Sequence, residues 1–314
     1  MASKGTRDFA LVLSGGAAKG IYHIGALKAI REYGLNIIAM SGSSVGGLNA
    51  VGLTFLDPAR IEEMWDAFRF DNFYTAADSP DSSLSSQTGV RAVIEELVTE
   101  DIFPVSKPVY VTIANSQGTP EYIDLAGRPR REVIDLLLAT CAMPIVFSPV
   151  TFEGEAYMDG GVVDNLPVLP IYLDGYRDVI SISASQTLKI DKDKYFFDNL
   201  IEITPSKDLG GIIDGTLNFS VTSKAFAKEL GYLDAKRAIE KYLIEHDMAT
   251  PDMAKQAQMV DEGYGYSTKS YEQKLAEAQA AREEADYQNA RKAAKHAELE
   301  DRISSTFDKL EKFL

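Results

Sequence analysis

Phe9-Ala10-Leu11-Val12-Leu13 is apolar without interruption, the pattern of a parallel strand buried on both faces. A glycine-rich stretch, Ser14-Gly15-Gly16-Ala17-Ala18-Lys19-Gly20, comes next. Over Ile21 to Tyr33 the period changes from continuous to helical, with Ile24, Leu27 and Ile30 on one face and Gly34 as the stop. A second apolar run, Asn36 to Met40, leads through Ser41 to Gly47 into a helical pattern ending near Leu56. Strand, glycine loop, helix, strand, tight turn and helix make a βαβα unit, which implies a parallel sheet with covered faces.

Further along, residues 59–70 read as a helix and residues 71–89, rich in Ser, Asp and Ala, as a loop or lid. Val90 to Val98 is helical. Pro108 to Ala114 and Glu121 to Leu125 read as two strands, antiparallel if the polar stretch between them is a turn. Pro129 to Ala139 is a helix, Asp178 to Ser183 a buried strand and Lys224 to Ile244 a helix. From residue 266 onward Gly and Pro are absent and alanine alternates with charged residues, so the end of the chain reads as a long helix or helical pair. Ile303, Phe307, Leu310 and Leu314 give it a short seam that either packs back on the body or meets a partner helix. The expected organisation is a catalytic domain over residues 1–250 and a helical extension over 251–314, with self-association through the extension as an expected contact.

The junction after the second strand holds the first chemistry. Gly42-Ser43-Ser44-Val45-Gly46 fits a nucleophile elbow, in which a serine sits on a sharp strand-to-helix turn and small residues let the two backbones approach. The same five residues also fit a glycine-rich turn with an incidental serine. The glycine loop after the first strand offers backbone N–H groups at a helix start, a place for an anion. It matches neither of the common phosphate motifs. The lysine and hydroxyl of a Walker A loop are out of place, and Gly15, Gly16 and Gly20 have the wrong spacing for a dinucleotide fingerprint. An oxyanion loop serving Ser44 is the alternative. Lys19 reads as an exposed or ion-paired helix-start lysine rather than a base.

A serine nucleophile needs a base, and the histidines do not supply an obvious one. His246 and His296 lie in polar helical surroundings, and His23 lies one turn into the first helix as a structural residue. Asp159, in Ala156-Tyr157-Met158-Asp159-Gly160-Gly161, ends an apolar stretch and precedes glycines that let a neighbour approach. It is the candidate base, although Asp-Gly-Gly also fits a plain turn. A carboxylate is a weak base unless burial raises its pKa.

Glycine loop, Gly-x-Ser-x-Gly and Asp-Gly-Gly in that order resemble the patatin-like phospholipase family. Ala142-Met143-Pro144-Ile145-Val146-Phe147-Ser148-Pro149 is similar to the family's block before the acid, and Asp159 through Pro167 to its Asp-Gly-Gly…Asn-x-Pro block. The resemblance covers roughly residues 8–185. It implies a three-layer α/β/α sandwich with a mainly parallel central sheet and a Ser–Asp dyad of Ser44 and Asp159. The backbone amides of Gly15, Gly16 and Ala17 would form the oxyanion hole. The reaction it implies is hydrolysis of fatty-acyl esters through an acyl-enzyme, on phospholipid or another acyl-ester lipid met by transient contact with a membrane surface. No cofactor or metal is implied. Two departures stand out: Ala17 replaces a third glycine, and Lys19 replaces an arginine. A conditionally active effector, and an acyltransferase or thioesterase using the same dyad, are the alternative readings.

Composition narrows the setting. A net charge of −15 disfavours a nucleic-acid partner. The one cysteine, Cys141, lies in an apolar stretch and reads as buried. No leader-like or membrane-spanning run is evident, so the expected location is cytoplasmic. Trp65, Phe68, Phe70, Phe73 and Tyr74 form an aromatic stretch that fits either a lipid-facing lid or core packing, and Lys194-Tyr195-Phe196-Phe197 poses the same choice.

Overall fold

The computed structural model describes residues 7–249, except 57, 70–74, 77–84, 100–104 and 106. The chain divides into two compact units, Met1–Ser267 and Thr268–Leu314, and every described residue falls in the first. The expected helical extension over 251–314, and most of the expected lid over 71–89, lie outside the described residues.

The order of elements is β1 (Asp8–Leu13), α1 (Ile21–Glu32), β2 (Asn36–Ser43), α2 (Val45–Phe55), α3 (Pro58–Ala67), α4 (Thr88–Leu97), β3 (Val109–Ala114), β4 (Pro120–Asp124), α5 (Arg130–Thr140), β5 (Val150–Phe152), β6 (Glu155–Asp159), α6 (Leu169–Leu173), β7 (Asp178–Ile182), β8 (Asn199–Ile203) and α7 (Val221–Glu245). Thr75–Ala76 and Ser85–Ser86 form a separate two-residue pairing. The central sheet runs β8-β7-β1-β2-β3-β6-β5, with β4 also on β3. From β8 to β3 every pairing is parallel; β4, β6 and β5 are antiparallel additions at one end.

Strand alternation divides β1 between two cores. Phe9 faces the helical side, where its ring meets Tyr242 of α7 edge-on at 5.4 Å. Ala10 and Val12 face the other side and pack with Leu166, Val168, Ile171 and Ile190. That second outer layer is thin: the five-residue α6 and extended chain cover it. Tyr195 and Phe197 pack into it, while Phe196 is 73% exposed.

On the helical side α1 and α7 cross without side chains between them. A Cβ on Gly25 would lie 1.8 Å from Lys228 O, and one on Gly231 would lie 2.1 Å from Tyr22 O. Glycine is required at this crossing by contact distance rather than by backbone angle. Beside it, the buried Asp234 accepts from Tyr22 Oη at 3.1 Å and from Ser206 N at 2.9 Å.

The sheet also brings two distant segments end to end. β2 pairs with β3 as far as Ser43 opposite Thr112, and β6 pairs with the next positions, Asp159 opposite Ile113 and Met158 opposite Ala114. β4 occupies the other edge of β3 over Tyr110 to Ala114. β2 and β6 therefore share one edge and arrive from opposite directions, so the residue after Ser43 and the last residue of β6 meet.

Candidate active site

Ser44 is the turn residue between β2 and α2, with φ 54° and ψ −127°. A non-glycine residue held there carries strain on the order of 1–3 kcal/mol, which the surroundings must impose. Two features do so. The glycines on either side permit the turn: a Cβ on Gly42 would lie 2.3 Å from Gly46 C, and one on Gly46 would lie 2.4 Å from Leu13 O. In addition, Ser44 N donates to Thr140 Oγ1 at 2.9 Å, and that hydroxyl donates to Thr112 O at 2.6 Å. Sequence reasoning misses Thr140, because a threonine inside the apolar run of α5 matches no motif.

Ser44 Oγ donates to Asp159 Oδ2 at 2.6 Å. The other carboxylate oxygen accepts from Gly161 N at 2.8 Å, which fixes the rotamer. Asp159 is 6% exposed. Burial pushes its pKa up from the ordinary carboxylate value to about 6, against the lowering effect of the Ser44 and Gly161 hydrogen bonds. The expected pair is thus brought together by the shared edge of β3.

The glycine loop follows β1 on the same side. Gly16 has φ 150° and Ala17 has φ 45°, so the alanine holds a backbone conformation that glycine adopts more readily. Gly16 and Ala17 open a short 3₁₀ turn, Ala17–Gly20, so their N–H groups precede any intrahelical acceptor. Both residues line a cavity that also reaches Ser44 and Asp159. Gly15 departs from the expectation. Its N–H is already donated to Asn165, to the backbone O at 3.2 Å and to Oδ1 at 3.0 Å. Lys19 donates from Nζ to Gly210 O, which ties the segment before α7 to the glycine loop.

The cavity has a volume of about 260 Å³ and a mainly apolar lining. Met64 and Trp65 of α3, Phe68 just after it, Val93 and Leu97 of α4, and Phe219 ahead of α7 form its walls. Trp65 and Phe68 therefore serve the cavity; Phe70, Phe73 and Tyr74 lie outside the described residues. The last carbonyls of α3 are capped from α7. Lys224 Nζ donates to Trp65 O at 2.6 Å, Asp66 O at 3.2 Å and Phe68 O at 2.7 Å. Burial lowers the Lys224 pKa to about 8.

His23 is fully buried, and burial lowers its pKa to about 3, so it stays neutral. Asn49 accepts from Trp65 Nε1 at 2.9 Å, so its Nδ2 is the donor facing His23 Nδ1 at 3.2 Å. The proton of His23 is then on Nε2, which has no hydrogen-bond partner among the described residues. His246 lies at the end of α7, against Tyr242 O, and His296 lies outside the described residues. Cys141 is buried beside the pair, and burial raises its thiol pKa well above the ordinary value. Among the described residues no group of three or more His, Cys, Asp or Glu could hold a metal ion, and no helix is long and apolar enough to cross a membrane.

The family model for patatin-like phospholipases matches residues 11–172, just over half of the chain. The chain belongs to the patatin-like phospholipase family. This patatin-like protein is 32% identical over 171 residues to an uncharacterized NTE family protein of Mycobacterium tuberculosis, a match covering 52% of this chain and 45% of that one. It is 28% identical over 185 residues to lysophospholipase NTE1 of Cryptococcus neoformans, covering 57% and 11% respectively. Against human patatin-like phospholipase domain-containing protein 4 the identity is 26% over 165 residues, covering 48% and 64%. The patatin-like chain thus spans less than two thirds of the length of each of these relatives. Among solved structures, VipD from Legionella pneumophila matches with a TM-score of 0.47 at 16% identity, covering 76% of this chain and 68% of that one. ExoU in complex with SpcU from Pseudomonas aeruginosa matches with a TM-score of 0.43 at 18% identity, covering 76% and 52%.

Proposed function

We propose that this patatin-like protein is a lipid acyl hydrolase that cleaves fatty-acyl esters of phospholipids or lysophospholipids through a Ser44–Asp159 dyad. The observation that carries the reading is the 2.6 Å bond from Ser44 Oγ to Asp159 Oδ2, with both residues lining an apolar cavity. Ionised Asp159 takes the proton of Ser44 as Oγ attacks the ester carbonyl. The N–H groups of Gly16 and Ala17 stabilise the oxyanion, a contribution of roughly 3 kcal/mol per donor. Protonated Asp159 then gives the proton to the departing alcohol, leaving the acyl group on Ser44. A water deprotonated by Asp159 attacks the acyl-enzyme, the acid is released, and Ser44 recovers its proton.

The apolar walls suit an acyl chain. Val162, 47% exposed and also part of the lining, supports entry of the chain from a lipid surface by transient contact. The single buried cysteine is consistent with a reducing, cytoplasmic setting.

Release of fatty acid from a lysophospholipid, measured by chromatography, tests the reading. Ser44→Ala and Asp159→Asn are each expected to lose on the order of 10⁴-fold in kcat. Undiminished release by Ser44→Ala would overturn it. Transfer of the acyl group to an added alcohol in place of free acid would instead identify an acyltransferase.

A further inference from the structure

The loop after Asp159 is stitched to both neighbours of the dyad through its carbonyls. Asp164 O accepts from Ser43 Oγ at 2.5 Å, and Pro167 O accepts from Ser41 Oγ at 2.6 Å, both on the strand that carries Ser44. Asn165 O accepts from Gly15 N, on the glycine loop. Of these three bonds only the last is reinforced by a side chain, since the same N–H also reaches Asn165 Oδ1. A backbone N–H can bond only the oxygen end of a carboxamide, so the orientation of the Asn165 amide is fixed.

The Asn165 carboxamide fills the space between the two halves of the site. A Cβ on Gly15 would lie 2.4 Å from Asn165 Oδ1 and 3.2 Å from Ser44 Cβ. A Cβ on Gly161 would lie 2.7 Å from the same Oδ1 and 3.0 Å from Asp159 Oδ1. Asn165 also lines the cavity.

We propose that Asn165 is a positioning residue for the oxyanion hole: it clamps the Gly15 peptide and thereby aims the N–H groups of Gly16 and Ala17 at the ester. This rests on the reading of Ser44 as nucleophile. The chemistry explains the residue type. A leucine of similar volume keeps only the backbone acceptor and has no side-chain acceptor for Gly15 N–H. An aspartate has one, but its charge would sit beside Asp159 and beside the developing oxyanion.

The test is hydrolysis of p-nitrophenyl butyrate by full-length Asn165→Ala and Asn165→Asp, with pH profiles and melting temperatures, alongside Ser44→Ala. Asn165→Ala is expected to lose roughly 100-fold in kcat, the effect of one misaimed oxyanion donor. Its KM should stay within about twofold, and any shift in the midpoint of its acid limb should be downward, since the Ser44 and Gly161 hydrogen bonds to Asp159 remain and opening the space beside it eases the burial that raises its pKa. Asn165→Asp is expected to keep the clamp yet raise that midpoint by about one pH unit, through like-charge repulsion. Wild-type kcat in Asn165→Ala would overturn the proposal. So would an unmoved midpoint in Asn165→Asp, which also serves if the alanine variant does not fold. Loss of activity in Ser44→Ala together with wild-type kcat in Asn165→Ala would reject the clamp alone, whereas an active Ser44→Ala would reject the nucleophile reading beneath it.

Discussion

At the scale of single residues, the site is a set of groups held in states they would not adopt alone. Asp159 is the clearest case. With its pKa at about 6, activity is expected to rise between roughly pH 5 and 7 as the carboxyl ionises, and to level off above that. Stability runs the other way. The folded-state value lies above the unfolded value near ~3.9, so the fold favours the protonated form; the contribution of Asp159 to stability is full below pH ~4 and is lost as pH rises through about 6. Asp159→Asn keeps an acceptor for Gly161 N and a donor toward Ser44 while removing the buried charge. It is expected to be inactive yet more stable by about 1–3 kcal/mol at pH 8, the gain vanishing near pH ~4, as thermal melts at the two pH values would read. Thr140 acts on the other partner. Thr140→Val leaves the Ser44 N–H and Thr112 O unsatisfied and is expected to cost about 1–3 kcal/mol and roughly 10- to 100-fold in kcat, with Thr140→Ser restoring most of both. Ser44 and Asp159 are legible in the sequence because glycines flank the first and succeed the second. Thr140 is not, since its role depends on where α5 ends in space and a hydroxyl in an apolar helix carries no pattern. The resemblance casts Gly15 as an oxyanion donor, because a motif shows where an amide lies along the chain and not which acceptor has already taken it.

At the scale of elements, β1, α1, β2, α2 and the start of α7 emerge from period and punctuation, within a few residues. The hairpin of β5 and β6 does not, because a three-residue strand is too short to show alternation. β8, Asn199–Ile203, does alternate in burial, yet its polar first residue, Asn199, and Glu202 hide it after the charged residues that precede it. The α1–α7 crossing shows what a sequence pattern cannot: Gly25 and Gly231 lie in helices where alanine would have higher propensity, and the contact that demands glycine comes from a segment remote in the chain, Lys228 for Gly25 and Tyr22 for Gly231. Gly25→Ala would drive a methyl onto the Lys228 carbonyl. The expected loss is about 3 kcal/mol or more, visible as a clearly lowered melting temperature in calorimetry. An unchanged melting temperature would mean that the crossing can open to admit a methyl that would otherwise lie 1.8 Å from Lys228 O.

At the scale of the whole molecule, the family match stops at residue 172, yet the site leans on elements beyond that point. Ser14 N donates to Ile182 O at 3.1 Å and Ala184 N donates to Ser14 Oγ at 2.8 Å, so β7 and the turn after it brace the start of the glycine loop. Lys19 reaches Gly210, and α7 covers α1. A chain ending at Leu173 is therefore expected to expose the β1 edge and lose all labelling of Ser44 by a fluorophosphonate, with near-ultraviolet circular dichroism showing lost packing. The overall βαβ order is visible from the first fifty or so residues, whereas this dependence is not, because it joins elements through the sheet and not along the chain. The shared edge of β3 has a different consequence. Reactive groups come from β1, β2 and β6 and the turns at their ends, whereas α3 and α4 lie in an excursion between α2 and β3 that adds no strand to the central sheet among the described residues. The candidate reacting groups and much of the cavity wall are thus carried by different stretches of chain. On the proposed function, exchanging residues 58–97 for those of a relative is expected to change which acyl chains are accepted while the Ser44–Asp159 pair stays in place.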